Sequence, residues 1–380
     1  MASDKFDIRA KNEAMLLQKI IDSKIISRAE LSKVTGLNKA SVSTITKELI
    51  SANYIQETGI GDSSAVGGRK PVLLEFNPQV GTVLSIDIGS NYIFGVHCFL
   101  DGEEINGSII EDISISKENI LSYIDDIISN LNLSSLEQVV GLSVAIHGIV
   151  FENKIKFTPH YDLIDFDLHA LLSEKFAFPV FLENEANLSA LGAYSFGHDT
   201  QQLITLSIHS GIGAGIVIDG VLLKGQDGEA GEVGHTILFP GGKECPCGNQ
   251  GCLEQYASSE VLFSELKTEM NLDKINIQQI KAALAKKDEK VLEIIERNAY
   301  YLSIGINNIS NIFNQETLII NSPLYNALPE LVALVTDKLD GRIFKNTLIT
   351  SSNIGERSIV YGGVALVCQK FLNINKLKFV

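Results

Sequence analysis

The sequence lacks any run of about 18 apolar residues, the length that crosses a bilayer, so no membrane partner is expected. Its first residues, Met1-Ala-Ser-Asp-Lys-Phe-Asp, lack the basic-then-apolar pattern of a signal peptide, and the protein is expected to be cytoplasmic. Positive charge is scarce: 31 Lys and Arg face 46 Asp and Glu, a net charge of −15 at pH 7. Taken over the whole chain, that balance argues against nucleic acid as a partner. Cysteine is scarce too, with five in 380 residues. Otherwise the composition is that of a globular protein, 45% hydrophobic and 20% charged, with length for two or three packed units.

The charge is unevenly spread. Residues 1–75 carry 11 Lys and Arg against 9 Asp and Glu, whereas residues 76–380 carry 20 against 37. The first segment can therefore meet phosphates while an acidic body remains soluble. Within it, Ala14, Leu17, Ile20 and Ile21 repeat at the spacing of one helical face between Arg9 and Asp22. Ser27, with Glu30 three residues later, reads as the cap of a second helix, and Gly36 suits the left-handed turn that ends it. Asn38 caps a third helix, Lys39 to Asn53, whose buried face is expected at Val42, Ile45, Leu49 and Ile50. Two short helices about a Gly-containing turn form the helix-turn-helix pattern. Lys39, Ser41, Ser43, Thr44 and Lys47 on the third helix are candidate DNA contacts, being small hydroxyl or cationic side chains. A strand from Tyr54, a glycine-rich loop at 61–68 and a returning strand after Arg69 and Lys70 read as a wing, with both cations placed for phosphates or a minor groove. The competing reading is a helical protein–protein module followed by a glycine linker.

The body alternates strand and helix signals, implying an α/β fold. Val83-Leu-Ser-Ile-Asp87-Ile-Gly89-Ser90-Asn91 is an apolar strand ending in a carboxylate and a turn, and it resumes at Ile93. Residues 203–218 echo it, with His209-Ser210-Gly211-Ile-Gly213-Ala-Gly215 at the turn. Two such tips facing each other suit a two-lobed phosphate cleft. The strand Pro179-Val-Phe-Leu-Glu183 runs into Asn184-Glu185-Ala-Asn187, and strand ends are where α/β folds gather ligands. His235, Cys245, Cys247 and Cys252 can close a tetrahedral zinc site with no open position, hence structural. The alternative is three free thiols beside an unrelated histidine. Cys98 and Cys368 read as buried packing residues.

Glu232-Val-Gly-His235, the three cysteines and Leu253-Glu254-Gln-Tyr-Ala-Ser together resemble the ROK family of repressors, reading frames and sugar kinases. The fused helix-turn-helix resembles its repressor branch, and the Asn184–Asn187 run is similar to xylose-repressor-like members. The resemblance implies a winged helix-turn-helix (mainly α) at 1–75. It implies a two-lobed, actin-like sugar-kinase (ribonuclease H-like) α/β fold beyond. The lobes would span 76–190 and 191–357, the second carrying the zinc loop, with a C-terminal helix at 358–380 returning to lobe 1. It also implies a sugar between the lobes, contacted by Asn184, Glu185, Glu232, His235 and Glu254. His235 would hold zinc through one ring nitrogen and a sugar hydroxyl through the other.

Three departures bear on catalysis. The kinases of the family carry an aspartate general base where this chain has Glu185. Its extra methylene moves the carboxylate by roughly an ångström, which damages proton transfer but not hydrogen bonding. The kinases' first tip reads Asp-x-Gly-Gly-Thr-Lys, against Asp87-Ile-Gly89-Ser90-Asn91-Tyr92 here. A Pro-Gly pair of the family is His147-Gly148. The expectation is a repressor without phosphoryl transfer: a homodimer or dimer of dimers on operator DNA, whose affinity a pentose or hexose effector changes by closing the cleft. The alternative is an active ATP-dependent sugar kinase that also binds DNA; a third reading has the body bind a partner protein.

Overall fold

The structure is a computed structural model that describes residues 2–60, 71–133, 138–339 and 347–379, with side chains from Ile8 onward except that of Ile60. The chain opens with helix α1 (Ala2–Ser23), a short strand β1 (Ile25–Ser27), α2 (Arg28–Thr35) and α3 (Lys39–Ser51). The caps form as the sequence predicts. Ser27 Oγ accepts from the Glu30 amide at 3.2 Å, Asn38 Oδ1 accepts from the Ser41 amide at 2.9 Å, and Gly36 has φ 72°. Strands β2 (Ile55–Ile60) and β3 (Val72–Phe76) form the wing, and β1 adds a third strand against β3 that sequence reasoning missed. Arg69, Lys70 and the loop at 61–68 lie outside the described residues. On α3, Val42, Ile45 and Leu49 are buried as expected, but Ile50 is only half-buried. The fully buried polar residue Thr46 takes its place, held by Arg28 Nε at 3.0 Å and by the Val42 carbonyl at 2.8 Å.

The body holds two five-stranded sheets. The first is built from β4 (Thr82–Ile88), β5 (Tyr92–Phe99), β6 (Glu104–Glu111), β7 (Val139–Ile146) and, after the small hairpin β8 (Ile149–Phe151) and β9 (Lys154–Phe157), β10 (Val180–Asn184). Its order is β10-β7-β4-β5-β6; β7 is parallel to both neighbours and almost wholly buried, so it reads as an unbroken apolar run. Helices α4 (Ile120–Asn130) and α5 (Leu168–Lys175) flank it, and α6 (Glu185–Gly192) starts where β10 ends. The second sheet has the order β13-β12-β11-β14-β15, from β11 (Gln202–Ile208), β12 (Ile212–Ile218), β13 (Val221–Leu222), β14 (Thr317–Asn321) and β15 (Leu348–Ser351). Helices α7 (Glu254–Ala257), α8 (Ser259–Glu269), α9 (Ile277–Ala285), α10 (Glu289–Phe313), α11 (Pro323–Ala327) and α12 (Glu330–Asp337) belong to this half. This is the two-lobed α/β architecture expected from the sequence.

The last helix, α13 (Ser358–Leu372), returns to the first sheet; it stops at Leu372, with Asn373 in the left-handed region, rather than running to 380. It crosses α6 at backbone contact, where Gly192 faces the Ser358 carbonyl and Gly362 faces that of Leu188. The end of α13 and the tail after it span three parts of the molecule. Phe371 meets Tyr54 (5.8 Å between ring centroids), Phe379 meets Phe76 (6.4 Å) and Phe196 (5.2 Å), and Lys378 reaches Asp199 at 3.1 Å. One apolar cluster accordingly runs from Leu16, Ile20 and Leu31 of the first helices through Val83, Val96 and Cys98 to Val364, Cys368 and Leu377. Both lone cysteines are packing residues in it, fully buried.

Candidate functional site

The ends of β7, β10 and β11 and the loops from the second half converge on a small cleft. All five residues expected to contact sugar, Asn184, Glu185, Glu232, His235 and Glu254, line it. Each is positioned by a local device. Asn184 caps α6: its Oδ1 accepts from the Asn187 amide at 3.0 Å and its Nδ2 donates to the Gly148 carbonyl at 2.7 Å, so part of its bonding capacity serves the frame. Glu185 opens α6 at 8% exposure, and burial raises its pKa. The loop carrying Glu232 and His235 lies directly on β12. A Cβ at Gly231 would sit 1.8 Å from the Ala214 carbonyl and one at Gly234 2.2 Å from that of Ile212, so both positions require glycine. Burial and then the charges of Glu185 and Glu254 push Glu232 up to about 7. Three carboxylates and an imidazole on one small polar cleft can pair with adjacent hydroxyls, which both donate and accept.

His235, Cys245, Cys247 and Cys252 bring one ligand atom each within 4.8 Å of one another. Cys247 Sγ lies 3.7 Å from Cys252 Sγ, and Cys245 Sγ lies 3.5 Å from His235 Nδ1. Tetrahedral Zn–S bonds of about 2.3 Å put thiolates about 3.8 Å apart, so donor set and spacing both fit zinc. His235 faces this cluster through Nδ1, while its Nε2 points toward Glu232 at 3.6 Å. Glu254 Oε1 lies 3.1 Å from Cys245 Sγ, so the same loop aims that carboxylate.

Beside these residues lies a polar cluster whose function the sequence reasoning missed. Asp87, at the first tip, is 3% exposed. Its Oδ1 is 3.0 Å from His147 Nε2, and its Oδ2 accepts from the Tyr92 hydroxyl at 2.7 Å. Tyr92 and His147 are two of the positions that depart from the kinase pattern, so these two departures themselves engage the carboxylate. Burial lowers the His147 pKa, but Asp87 and then Glu185 outweigh it, and the net shift is upward. His209, from the second tip, approaches His147 with 5.6 Å between ring centroids; burial holds its pKa down to about 4. His160 Nε2 lies 2.7 Å from Ser210 Oγ at the cleft mouth. A glycine turn identified each tip in the sequence, but no local signal linked residues 60 positions apart.

On the helix-turn-helix, Lys39, Thr44 and Lys47 are exposed, while Ser41 and Ser43 are half-exposed. Thr44 and Lys47 lie on the face of α3 opposite Val42, Ile45 and Leu49, Lys39, Ser41 and Ser43 flank the buried stripe, and none of the five belongs to the shared core.

Among the described residues no helix is long and apolar enough to cross a membrane. Comparison with known proteins agrees with this architecture. The chain is 34% identical to a xylose repressor of Bacillus spizizenii over 99% of each chain. It superposes on the crystal structure of a ROK family transcriptional regulator, a homologue of the Escherichia coli MLC protein, with a TM-score of 0.82 and 28% identity, covering 96% of this chain and 98% of that one. A ROK family glucokinase from Streptomyces griseus, solved with glucose and AMPPNP, matches 75% of this chain and 99% of its own with a TM-score of 0.69 and 22% identity, a likeness of fold alone. The model of the ROK family matches residues 83–370, and with this full-length likeness to a repressor the chain belongs to the ROK family.

Proposed function

We propose that this chain is a sugar-responsive transcriptional repressor of carbohydrate-utilisation genes, with D-xylose as effector and no phosphoryl transfer. The carrying observation is that a helix-turn-helix shares one apolar core with a body whose polyol residues converge on a cleft, while Asp87 is bound by His147 and Tyr92. Residues 1–75 would read DNA, 76–190 and 191–357 would form the lobes, and the helix at 358–372 with its tail would join them. Lys39, Ser41, Ser43, Thr44 and Lys47, with Arg69 and Lys70, would contact operator DNA. Asn184, Glu185, Glu232, His235 and Glu254 would bind the sugar. The xylose repressors that resemble this chain support the choice of a pentose.

His235 with Cys245, Cys247 and Cys252 would hold a zinc ion, which in such a closed site supplies rigidity rather than chemistry. His235 would then present Nε2 to a sugar hydroxyl in a fixed tautomer. Two subunits would place two α3 helices in successive major grooves. Sugar binding would close the cleft about the α6–α13 crossing. The segment from Phe371, at the end of α13, to Phe379, which touches the helix-turn-helix and the turn after α6, would carry that movement to the DNA-reading module. Calorimetry of the full chain with D-xylose, D-glucose and N-acetylglucosamine, beside a coupled ATPase assay, tests the reading. Binding of xylose without turnover is expected. Turnover at rates of about 1 per second or more would establish the kinase alternative instead.

A further inference from the structure

We propose that His147, oriented by Asp87, is itself a sugar-contacting residue that selects one hydroxyl of the ligand. The inference rests on the sugar-binding reading and goes beyond its five contact residues. His147 lines the same cleft as Glu185, Glu232 and His235. One bond holds its ring and another its backbone. Nε2 is 3.0 Å from Asp87 Oδ1, so the carboxylate keeps the ring proton there. The His147 backbone N–H donates to the Tyr161 hydroxyl at 3.0 Å, and that hydroxyl donates to the Ile88 carbonyl at 3.0 Å. Asp87 is fixed in turn by Tyr92.

This leaves Nδ1. Among the described residues no group bonds it, although His147 is only 7% exposed and the ring borders the cleft. A pre-oriented polar atom at the wall of a polyol cleft is matched by a hydroxyl, and a ligand lacking that hydroxyl leaves it unpaired and desolvated. The carboxylate at the first tip thus acts as a positioning residue for an imidazole.

Two substitutions separate contact from framework. In His147→Gln the amide nitrogen reaches the place of Nε2 and can still bond Asp87, while the Nδ1 position is lost. In His147→Asn the amide falls near Nδ1, and the bond to Asp87 is lost. The full chain and both variants are titrated by calorimetry with D-xylose and its singly deoxygenated analogues. The wild type is expected to bind xylose and to lose on the order of 10-fold affinity for one analogue. His147→Gln should bind xylose and that analogue equally, with the other analogues ranked as before; His147→Asn should keep part of the discrimination. If both variants reproduce the wild-type ranking across every analogue, the assignment of His147 is overturned while the sugar reading stands. If the wild type binds none of these sugars, both fall together.

Discussion

The α6–α13 crossing, proposed above as the joint between the lobes, offers a direct perturbation, Gly362→Ala. A Cβ at this position would lie 1.8 Å from the Leu188 carbonyl oxygen and 2.4 Å from its carbon, where ordinary contact begins at 3.4 Å. The obstructing atoms are backbone in the middle of α6, so they cannot step aside as a side chain would. The two helices must separate by about 1.5 Å, loosening Leu188, Leu191, Ile359 and Leu366 around the crossing. Overpacking of this kind costs about 3 kcal/mol, at the top of its usual range. Alanine returns about 1 kcal/mol of helix propensity relative to glycine, leaving a net loss of about 2 kcal/mol. Because Glu185 stands in the first turn of α6, sugar affinity should fall about tenfold as well. Urea unfolding and xylose calorimetry measure the two effects. Gly59→Ala, where nothing lies within 4 Å, serves as the control and should change stability by less than about 0.5 kcal/mol. A Gly362→Ala protein as stable as that control, with unchanged xylose affinity, would refute the backbone crossing as the joint.

Further outcomes follow from the other sites. The pKa of His209 is depressed by burial from 6.5 to about 4, so its neutral form contributes stability that is present above pH 6.5 and lost as pH falls toward 4. The loss amounts to about 3 kcal/mol, and His209→Asn should flatten the urea midpoint across that window. Cys252→Ser removes a fully buried donor of the His–Cys group. Mass spectrometry of the purified variant should find less than one zinc per chain, with weakened xylose binding because His235 and Glu254 lose their support. Lys47→Ala should weaken operator binding across all sequences and reduce the salt slope of log K by about 1, with xylose affinity unchanged.

Local chemistry made much of this molecule legible in its sequence. Ser27, Gly36 and Asn38 mark helix ends because side chains or a left-handed turn satisfy orphan backbone groups within a few residues. The run Val139 to Ile146 reads as a strand because both its faces are covered, and the cysteine spacing singles out the loop whose donors can hold a metal because few other reasons crowd thiols together. What escaped depends on long-range contact. Thr46 is buried because Arg28 from the preceding helix bonds it, which helical periodicity does not encode. The Asp87–His147 bond joins two strand ends that only sheet pairing brings side by side. From the sequence, Tyr92 and His147 read as losses from a kinase pattern; in the fold they are the partners that hold Asp87.

In the proposed mechanism, occupancy of the cleft is relayed to the DNA-reading helices. The affinity of the full chain for DNA from its own promoter region, measured by gel shift with and without D-xylose, tests this most directly. Xylose should release the operator, with a coupling of about 1–3 kcal/mol, corresponding to roughly a 5- to 150-fold loss of affinity. Equal operator affinity with and without xylose, at concentrations where calorimetry shows the cleft filled, would contradict it.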